Sequence, residues 1–209
     1  LGVGFVELGV ALAVFNIVSA LVQAPLGYAV DHYGARKVLK AGLLLGSLSF
    51  LLLAASPSHA VLLVAMAMAG LANGVYHPAD YALLANGIEP ARLGRSFSVH
   101  TFAGFLGSAV TPALFLGIAT VFGTPAALAV GAVFGVAALL LISIPGSGVY
   151  QAARPCNKEG AGLAPTTGRL RVFTPMIGVL TVLFILLNLS TSAIEKFSVA
   201  ALIQGQGLT

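Results

Sequence analysis

The sequence predicts an all-α integral membrane protein with about six transmembrane helices, and two observations carry this prediction. The first is composition: 58% of the 209 residues are hydrophobic and 8% are charged, whereas a soluble domain has roughly 25% charged residues. The second is the grouping of the charges, which leaves uncharged stretches long enough for the ~20 apolar residues that cross a bilayer core. A mean hydropathy of +1.02 also excludes a disordered chain.

The individual helices follow from the uncharged stretches. The stretches 8–30 and 172–194 each hold 23 residues without a charge. The stretch 41–79 is divided by Ser-Pro-Ser-His at 56–59, and the stretch 96–153 by Phe-Gly-Thr-Pro at 122–125, because proline and glycine mark turns. The predicted helices are 6–30, 38–55, 60–86, 96–121, 125–145 and 174–201.

Positive charge predicts the orientation of these helices. Nine of the ten Lys and Arg residues lie in three alternate connections, after the first, third and fifth helix. Such loops are retained in the cytoplasm, so we expect both ends of the chain outside, in a multi-pass protein of the cell membrane, the bacterial inner membrane being favoured. A chain that starts outside with Leu1 predicts a fragment lacking at least one preceding helix. The nine cations are Arg36, Lys37, Lys40, Arg92, Arg95, Arg154, Lys158, Arg169 and Arg171.

One stretch is typical of a linker. Residues 147–173 hold four cations and two prolines, and they separate five closely spaced helices from the sixth. The predicted domains are therefore an N-terminal transmembrane bundle over 1–146, a central cytoplasmic linker over 147–173 and the first helix of a C-terminal bundle over 174–209.

The sequence lacks the residues that several function classes require. Cys156 is the single cysteine, so neither an intramolecular disulfide nor a cysteine zinc cluster is expected. No glycine-rich phosphate loop and no HExxH motif occurs, and ten cations are too few for a nucleic-acid footprint. We therefore expect no enzyme activity, no cofactor, no metal and no nucleic-acid partner.

The connection between the first two predicted helices carries a distinctive pattern. It reads Gly27-Tyr-Ala-Val-Asp31-His-Tyr-Gly34-Ala-Arg36-Lys37. Gly34 permits the sharp reversal of the backbone, and the charge of Asp31 at a helix end can cap the helix or form a salt bridge. The residues alone leave open a charged hairpin that its cations hold at the cytoplasmic surface.

The spacing Gly-x3-Asp-x2-Gly-x-Arg-Lys resembles the signature of the major facilitator superfamily of secondary transporters, found between that family's second and third helices. The resemblance implies a gating turn that contacts the partner half of the transporter and helps to hold the outward-open state. In it Asp31 faces a helix end and Arg36 completes a charge relay. His32 and Ala35 stand where the family usually has basic residues.

A second stretch is similar to the fourth helix, basic loop and fifth helix of the same family. The glycines, prolines and basic residues that match lie between positions 74 and 112. The run Tyr-His-Pro-Ala-Asp-Tyr at 76–81 resembles efflux-type members near the fosmidomycin-resistance transporters, whereas Thr111-Pro112 replaces the Gly-Pro of drug–proton antiporters. The resemblance implies a major-facilitator-type bundle, incomplete, with the family's second to seventh helices. The matching residues are Gly74, Pro78, Pro90, Arg92, Gly94, Arg95, Gly104, Gly107 and Pro112.

Three ionisable residues fall inside predicted spans, where charge is costly and indicates function. At 1.5 Å per residue, Asp80 lies about 9 Å, His77 about 13 Å and His100 about 7 Å from the cytoplasmic surface. His77 and Asp80 are spaced i, i+3 on one helix face. We predict proton coupling or substrate contact at these three residues; the alternatives are a structural hydrogen-bonded pair and, less favoured, a metal site.

Other polar residues of the spans are predicted to contact cargo or to close a gate. Asn16, Asn73 and Asn188 are candidates for the lining of the central cavity, or else for interhelical hydrogen bonds. Glu195 and Lys196 are candidates for an outer gate, or else an interfacial pair. Glycines at small-x3-small spacing predict close helix packing: Gly42 and Gly46, Gly70 and Gly74, Gly131 and Gly135.

The function that the resemblance implies is secondary active transport of a small organic solute by alternating access, and we favour proton-coupled efflux. Proton-symport uptake of a metabolite is the alternative within transport, and a truncated membrane interaction subunit is the alternative outside it. The predicted partners are a small-molecule substrate, protons, the lipid bilayer and the missing helices of the same transporter.

Overall fold

The computed structural model describes residues 4–56, 58–144 and 182–183 of the chain. The chain divides into two compact units, Leu1–Cys156 and Asn157–Thr209. In the described part of the first unit there are five long helices, and all five are long and apolar enough to cross a membrane. They are α1 (Phe5–Tyr33), α2 (Ala35–Ala55), α3 (His59–Gly87), α4 (Leu93–Phe122, preceded by a 3₁₀ turn at Pro90–Arg92) and α5 (Thr124–Ser143).

The prediction of an all-helical membrane bundle is confirmed, and the first five helices appear in the predicted order. Of the sixth, 174–201, only 182–183 are described, and these are helical. The domain boundaries at 146 and 173 stay predictions.

Two helix reversals are tighter than the sequence predicts. A single residue separates α1 from α2, and a single residue separates α4 from α5: Gly34 with φ 89° and Gly123 with φ 86°. Residues with a Cβ rarely adopt this backbone conformation, so glycine is required at both positions. The predicted first helix ended at residue 30, whereas α1 continues to Tyr33, and Asp31 therefore lies in its last turn.

Close packing of the helices depends on glycines, which have no side chain to keep neighbouring helices apart. α1 packs against α3, α3 against α2, and α2 against α5. A Cβ built on Gly70 would lie 2.5 Å from the Phe15 carbonyl oxygen, and one on Gly42 would lie 2.9 Å from Cγ1 of Val75. The structure thus supports a packing role for the small-x3-small glycines.

Helix α4 is packed differently from the other four. None of its residues is buried, although it runs beside α5 and approaches α3 near its own start. The Phe97 ring meets the Tyr81 ring of α3 edge-on, with centroids 5.3 Å apart. Beyond this contact the space between α3 and α4 is a groove, and this groove positions the candidate site.

Candidate functional site

An acid and an imidazole join α3 to α4 inside the span. The Nε2 atom of His100 lies 3.7 Å from Oδ2 of Asp80, and both side chains are partly exposed. Among the described residues, this is the one close contact between an acid and a basic side chain that joins two helices; the other such contact, Glu89 with Arg92, lies within one turn. The structure therefore brings together two of the three ionisable residues that the sequence predicts to share one depth.

The third residue, His77, has a different neighbour. Its ring stands 5.6 Å from the ring of Tyr81, one helical turn further along α3. Because Tyr81 also contacts Phe97, an aromatic row crosses from α3 to α4. Tyr81 is not among the predicted site residues, although its spacing of four residues from His77 is a signal that the two rings share a helix face.

His100 lies where three cavities meet. The first, which we call the interior cavity, has a volume of about 690 Å³ and is mostly apolar, with Asp80 and Tyr76 among its lining residues. The second, the rim cavity, has about 430 Å³ and is lined by Arg92, Arg95 and Ser96 as well as His100. The third is the α3–α4 groove, of about 280 Å³, lined by His77, Tyr81, His100, Thr101, Gly104, Phe105 and Ser108.

The hydroxyl groups of α4 fall into two sets. Ser96, Ser98, Thr111 and Thr120 each donate a hydrogen bond to a carbonyl three or four residues earlier in the helix. Thr101 and Ser108, which line the groove, make no hydrogen bond with the described residues. Neither is among the predicted site residues, because a hydroxyl that bonds to its own helix and one that lines a groove belong to the same residue types.

The charged turn is organised around Arg36. Its Nε and Nη2 atoms donate to the carbonyl oxygen of Ile142, at 3.0 and 2.5 Å. Ile142 belongs to the last turn of α5, where carbonyls lack partners within the helix and a cation is favourable. Arg36 therefore caps α5. The resemblance implied instead a charge relay, and that role stays a prediction.

The other residues of the turn are less enclosed. Asp31 is exposed, as is Lys37, and in the described residues the Asp31 carboxylate forms no hydrogen bond or ion pair. Gly27 is half-buried within α1, with nothing within 4 Å of a Cβ built on it. The gating role of Gly27, Asp31, Gly34, Arg36 and Lys37 is a prediction that this geometry leaves open.

The predicted cavity amides separate into an interhelical and a local group. The Nδ2 atom of Asn73 donates to Oγ of the buried Ser19 at 2.8 Å, which ties α3 to α1. Asn16 is exposed and donates to the Leu12 carbonyl of its own helix at 2.8 Å. Asn188, Glu195 and Lys196 lie outside the described residues.

Metal binding has no support in the described part of the chain. Across residues 4–56, 58–144 and 182–183, no group of three His, Cys, Asp or Glu residues is placed to hold a metal ion. His77, Asp80 and His100 thus do not form such a group.

The five long apolar helices, together with the Asp80–His100 pair between two of them, define a multi-pass α-helical membrane protein. The family model of the Major Facilitator Superfamily matches residues 1–209. The chain belongs to this superfamily, which confirms the resemblance drawn from the gating turn.

Several curated relatives match parts of the chain. A probable anion transporter 7 of Oryza sativa is 33% identical over 66% of this chain and 31% of its own length. A multidrug resistance protein B homolog of Mycobacterium tuberculosis is 28% identical over 69% of this chain and 26% of its own length. The fosmidomycin resistance protein of Escherichia coli is 31% identical over 53% of this chain and 27% of its own length. No solved structure matches.

These matches limit what is established. The chain spans about a third or less of the length of the curated relatives it matches. The relatives include plant proteins as well as bacterial ones, so a multi-pass membrane location is supported and the bacterial inner membrane stays a prediction.

Proposed function

We propose that the chain is part of a secondary active transporter that moves a small organic solute by alternating access, in the direction of export and driven by protons. Membership of the superfamily supports transport as the class. Two relatives are named for multidrug and fosmidomycin resistance, and resistance favours export. The observation that carries proton coupling is the Asp80–His100 pair.

The pair is suited to coupling because of its chemistry and its position. An ionisable side chain in a span is costly and is expected to face a cavity or a partner; Asp80 does both. Imidazole gains and loses a proton in the physiological range. The two groups are on different helices, so protonation of either changes the attraction between α3 and α4. His77, in the adjoining groove, is the proposed contact for solute or proton.

The gate is proposed at the start of α2. Arg36 fixes this point to α5, and Asp31 stands exposed in the last turn of α1. A carboxylate there is available to helices of the second bundle, as the resemblance implies. Glu195 and Lys196 remain the proposed outer gate and Asn188 a proposed cavity residue.

Further helices of the same transporter are the proposed partners of this bundle. Helix α4 buries none of its residues, and the interior cavity reaches it through His100. A preceding transmembrane helix beside α4 would bury both surfaces. The alternative is a membrane interaction subunit, in which an unrelated helix covers them.

Uptake by proton symport is the second candidate within transport. Two relatives are named as probable anion transporters, a name that states transport without a direction, so we keep uptake as the second candidate.

Counterflow and proton-driven flux in vesicles test the proposal. The full-length transporter that contains this chain is reconstituted, a panel of small organic compounds is screened, and flux is measured with and without a pH gradient. Asp80→Asn should abolish gradient-driven flux but retain counterflow of the same compound. Glu89→Gln, an exposed acid that pairs with Arg92 outside the bundle, is the matched control. Gradient-driven flux that survives in Asp80→Asn would overturn the coupling role.

A further inference from the structure

The rim cavity lies between the end of α3 and the start of α4, and its lining combines two kinds of side chain. Leu84, Ile88 and Val99 give it apolar walls, whereas Arg92 and Arg95 contribute two guanidinium groups. Among the described residues, the lining holds neither Asp nor Glu. The volume of about 430 Å³ is within the range of ligand pockets, roughly 300–1,000 Å³. The cavity is thus amphipathic, with charge of one sign.

Both arginines have donors that the described residues do not use. Arg92 contacts Glu89 at 3.6 Å, and the two side chains are 76% and 68% exposed. An exposed pair of this kind contributes little and leaves most of the five N–H donors of the guanidinium unused. Arg95 is exposed and makes no hydrogen bond or ion pair with the described residues. The cavity therefore presents cationic donors to an anion.

The place of the cavity in the membrane decides the class of anion. Arg92 ends the 3₁₀ turn and Arg95 lies in the first turn of α4, so the predicted orientation puts both at the cytoplasmic surface. The leaflet there carries anionic lipids, and basic pockets between transmembrane helices on that side bind lipid headgroups. A further apolar helix on this end of α4 would instead remove two guanidinium groups from water without a counter-ion, which is costly.

We infer that the rim cavity binds an anionic phospholipid of the cytoplasmic leaflet. Arg92 and Arg95 hold the phosphate, because a guanidinium pairs with phosphate through parallel charge-assisted hydrogen bonds. An acyl chain lies against the half-buried Leu84 and Ile88 and the exposed Val99. The lipid is a fixed part of the surroundings of the bundle and not its cargo, so the site does not depend on the proposed transport function.

Native mass spectrometry of the full-length transporter that contains this chain measures lipid binding directly. The probes are dioleoylphosphatidylglycerol, dioleoylphosphatidylcholine and glycerol 3-phosphate, which carries a phosphate without acyl chains. The first bound phosphatidylglycerol should be held more tightly than phosphatidylcholine, and excess glycerol 3-phosphate should not displace it. Each basic residue near an anionic membrane surface contributes enough that Arg92→Gln together with Arg95→Gln should weaken phosphatidylglycerol binding by roughly 30-fold.

Lys37→Gln together with Lys40→Gln is the matched control. It removes the same number of cations from the start of α2, which is predicted to lie at the same membrane surface, so a diffuse attraction to anionic lipid would weaken equally in both double variants. Such an equal loss would overturn the inference. So would equal affinity for the two phospholipids, or binding of glycerol 3-phosphate as tight as that of phosphatidylglycerol, which would make the site one for a free phosphate.

Two serines of α4 give a second measurement that leaves both arginines in place. Ser96 and Ser98 each donate to the carbonyl four residues earlier, and of the two Ser96 lines the rim cavity. In lipid nanodiscs and a background without other cysteines, added phosphatidylglycerol should slow maleimide labelling of Ser96→Cys and leave that of Ser98→Cys unchanged. Equal rates for Ser96→Cys with and without phosphatidylglycerol, or equal slowing of both variants, would mean that the anionic lipid does not occupy the cavity.

Discussion

Arg36 at the start of α2 donates two hydrogen bonds to the carbonyl oxygen of Ile142 in the last turn of α5, across 106 positions of sequence. Arg36 is half-buried, and the carbonyl is one that the end of a helix leaves unpaired. The contact ties the start of α2 to the end of α5.

Replacement of Arg36 should loosen this junction. Arg36→Lys keeps the charge and loses the fork of donors, whereas Arg36→Ala loses both and should lower the free energy of unfolding by about 1.5–3 kcal/mol. Thermal unfolding in detergent, followed by circular dichroism, measures the difference. Lys37→Ala at the exposed neighbouring position is the control, and an equal loss in both variants would mean that the Ile142 contact contributes nothing.

Gly70→Ala should destabilise the α1–α3 contact. Its new methyl group would meet the Phe15 backbone oxygen at 2.5 Å, and a backbone atom cannot move aside as a side chain can. Overpacking of this kind costs roughly 1–3 kcal/mol. Gly107→Ala on α4, where nothing lies within 4 Å, should be neutral or gain up to about 1 kcal/mol from helix propensity. Thermal unfolding of the two variants in parallel gives the answer, and a stable Gly70→Ala would contradict the packing.

Asn73 and Asn16 should respond differently to removal of the amide. Asn73→Ala breaks the hydrogen bond to Ser19 between α3 and α1, and such bonds in membrane bundles contribute about 0.6 kcal/mol, at most roughly 1.7. Asn16→Ala removes a bond within one helix at an exposed position and should have little effect. Chemical denaturation in mixed micelles measures the stability of both variants. Equal stability would mean that the Asn73–Ser19 hydrogen bond contributes nothing, and Asn73 would then be a candidate for the cavity lining alone.

The predicted orientation is tested by labelling in intact cells. In a Cys156→Ser background, a cysteine introduced at Ser58 should react with an impermeant maleimide from outside. A cysteine at Ala91, beside Arg92 and Arg95, should react only after the membrane is permeabilised. Both positions are exposed, so burial does not limit their labelling. The reverse pattern would mean that the bundle has the opposite orientation in the membrane.

The order of the five helices in the described residues was predictable because the length of a span and the position of charges are both properties of the sequence. Depth arithmetic also placed Asp80 near His100, and the structure brings these two side chains together. Helix ends were less predictable, since the single-residue reversal at Gly34 lets α1 run three residues further than the uncharged stretch.

The remaining contacts could not be predicted from a single sequence. The acceptor for Arg36 is a backbone carbonyl, which every residue possesses. The difference between Thr101 and Thr111 depends on which hydroxyl faces a cavity, and that is decided by the position of α3 beside α4. His77 is predicted on the same helix face as Asp80, and the ring contact of His77 with Tyr81 is an additional contact that this spacing does not reveal.

The reversals at Gly34 and Gly123 also determine where this bundle can bend. A one-residue connection has no slack, so it fixes the end of α1 to the start of α2 and the end of α4 to the start of α5. Between α3 and α4 the chain instead has Ile88, Glu89 and a short 3₁₀ turn. The Asp80–His100 pair bridges α3 and α4 across this connection, while the packing of α2 on α5 holds the two hairpins together.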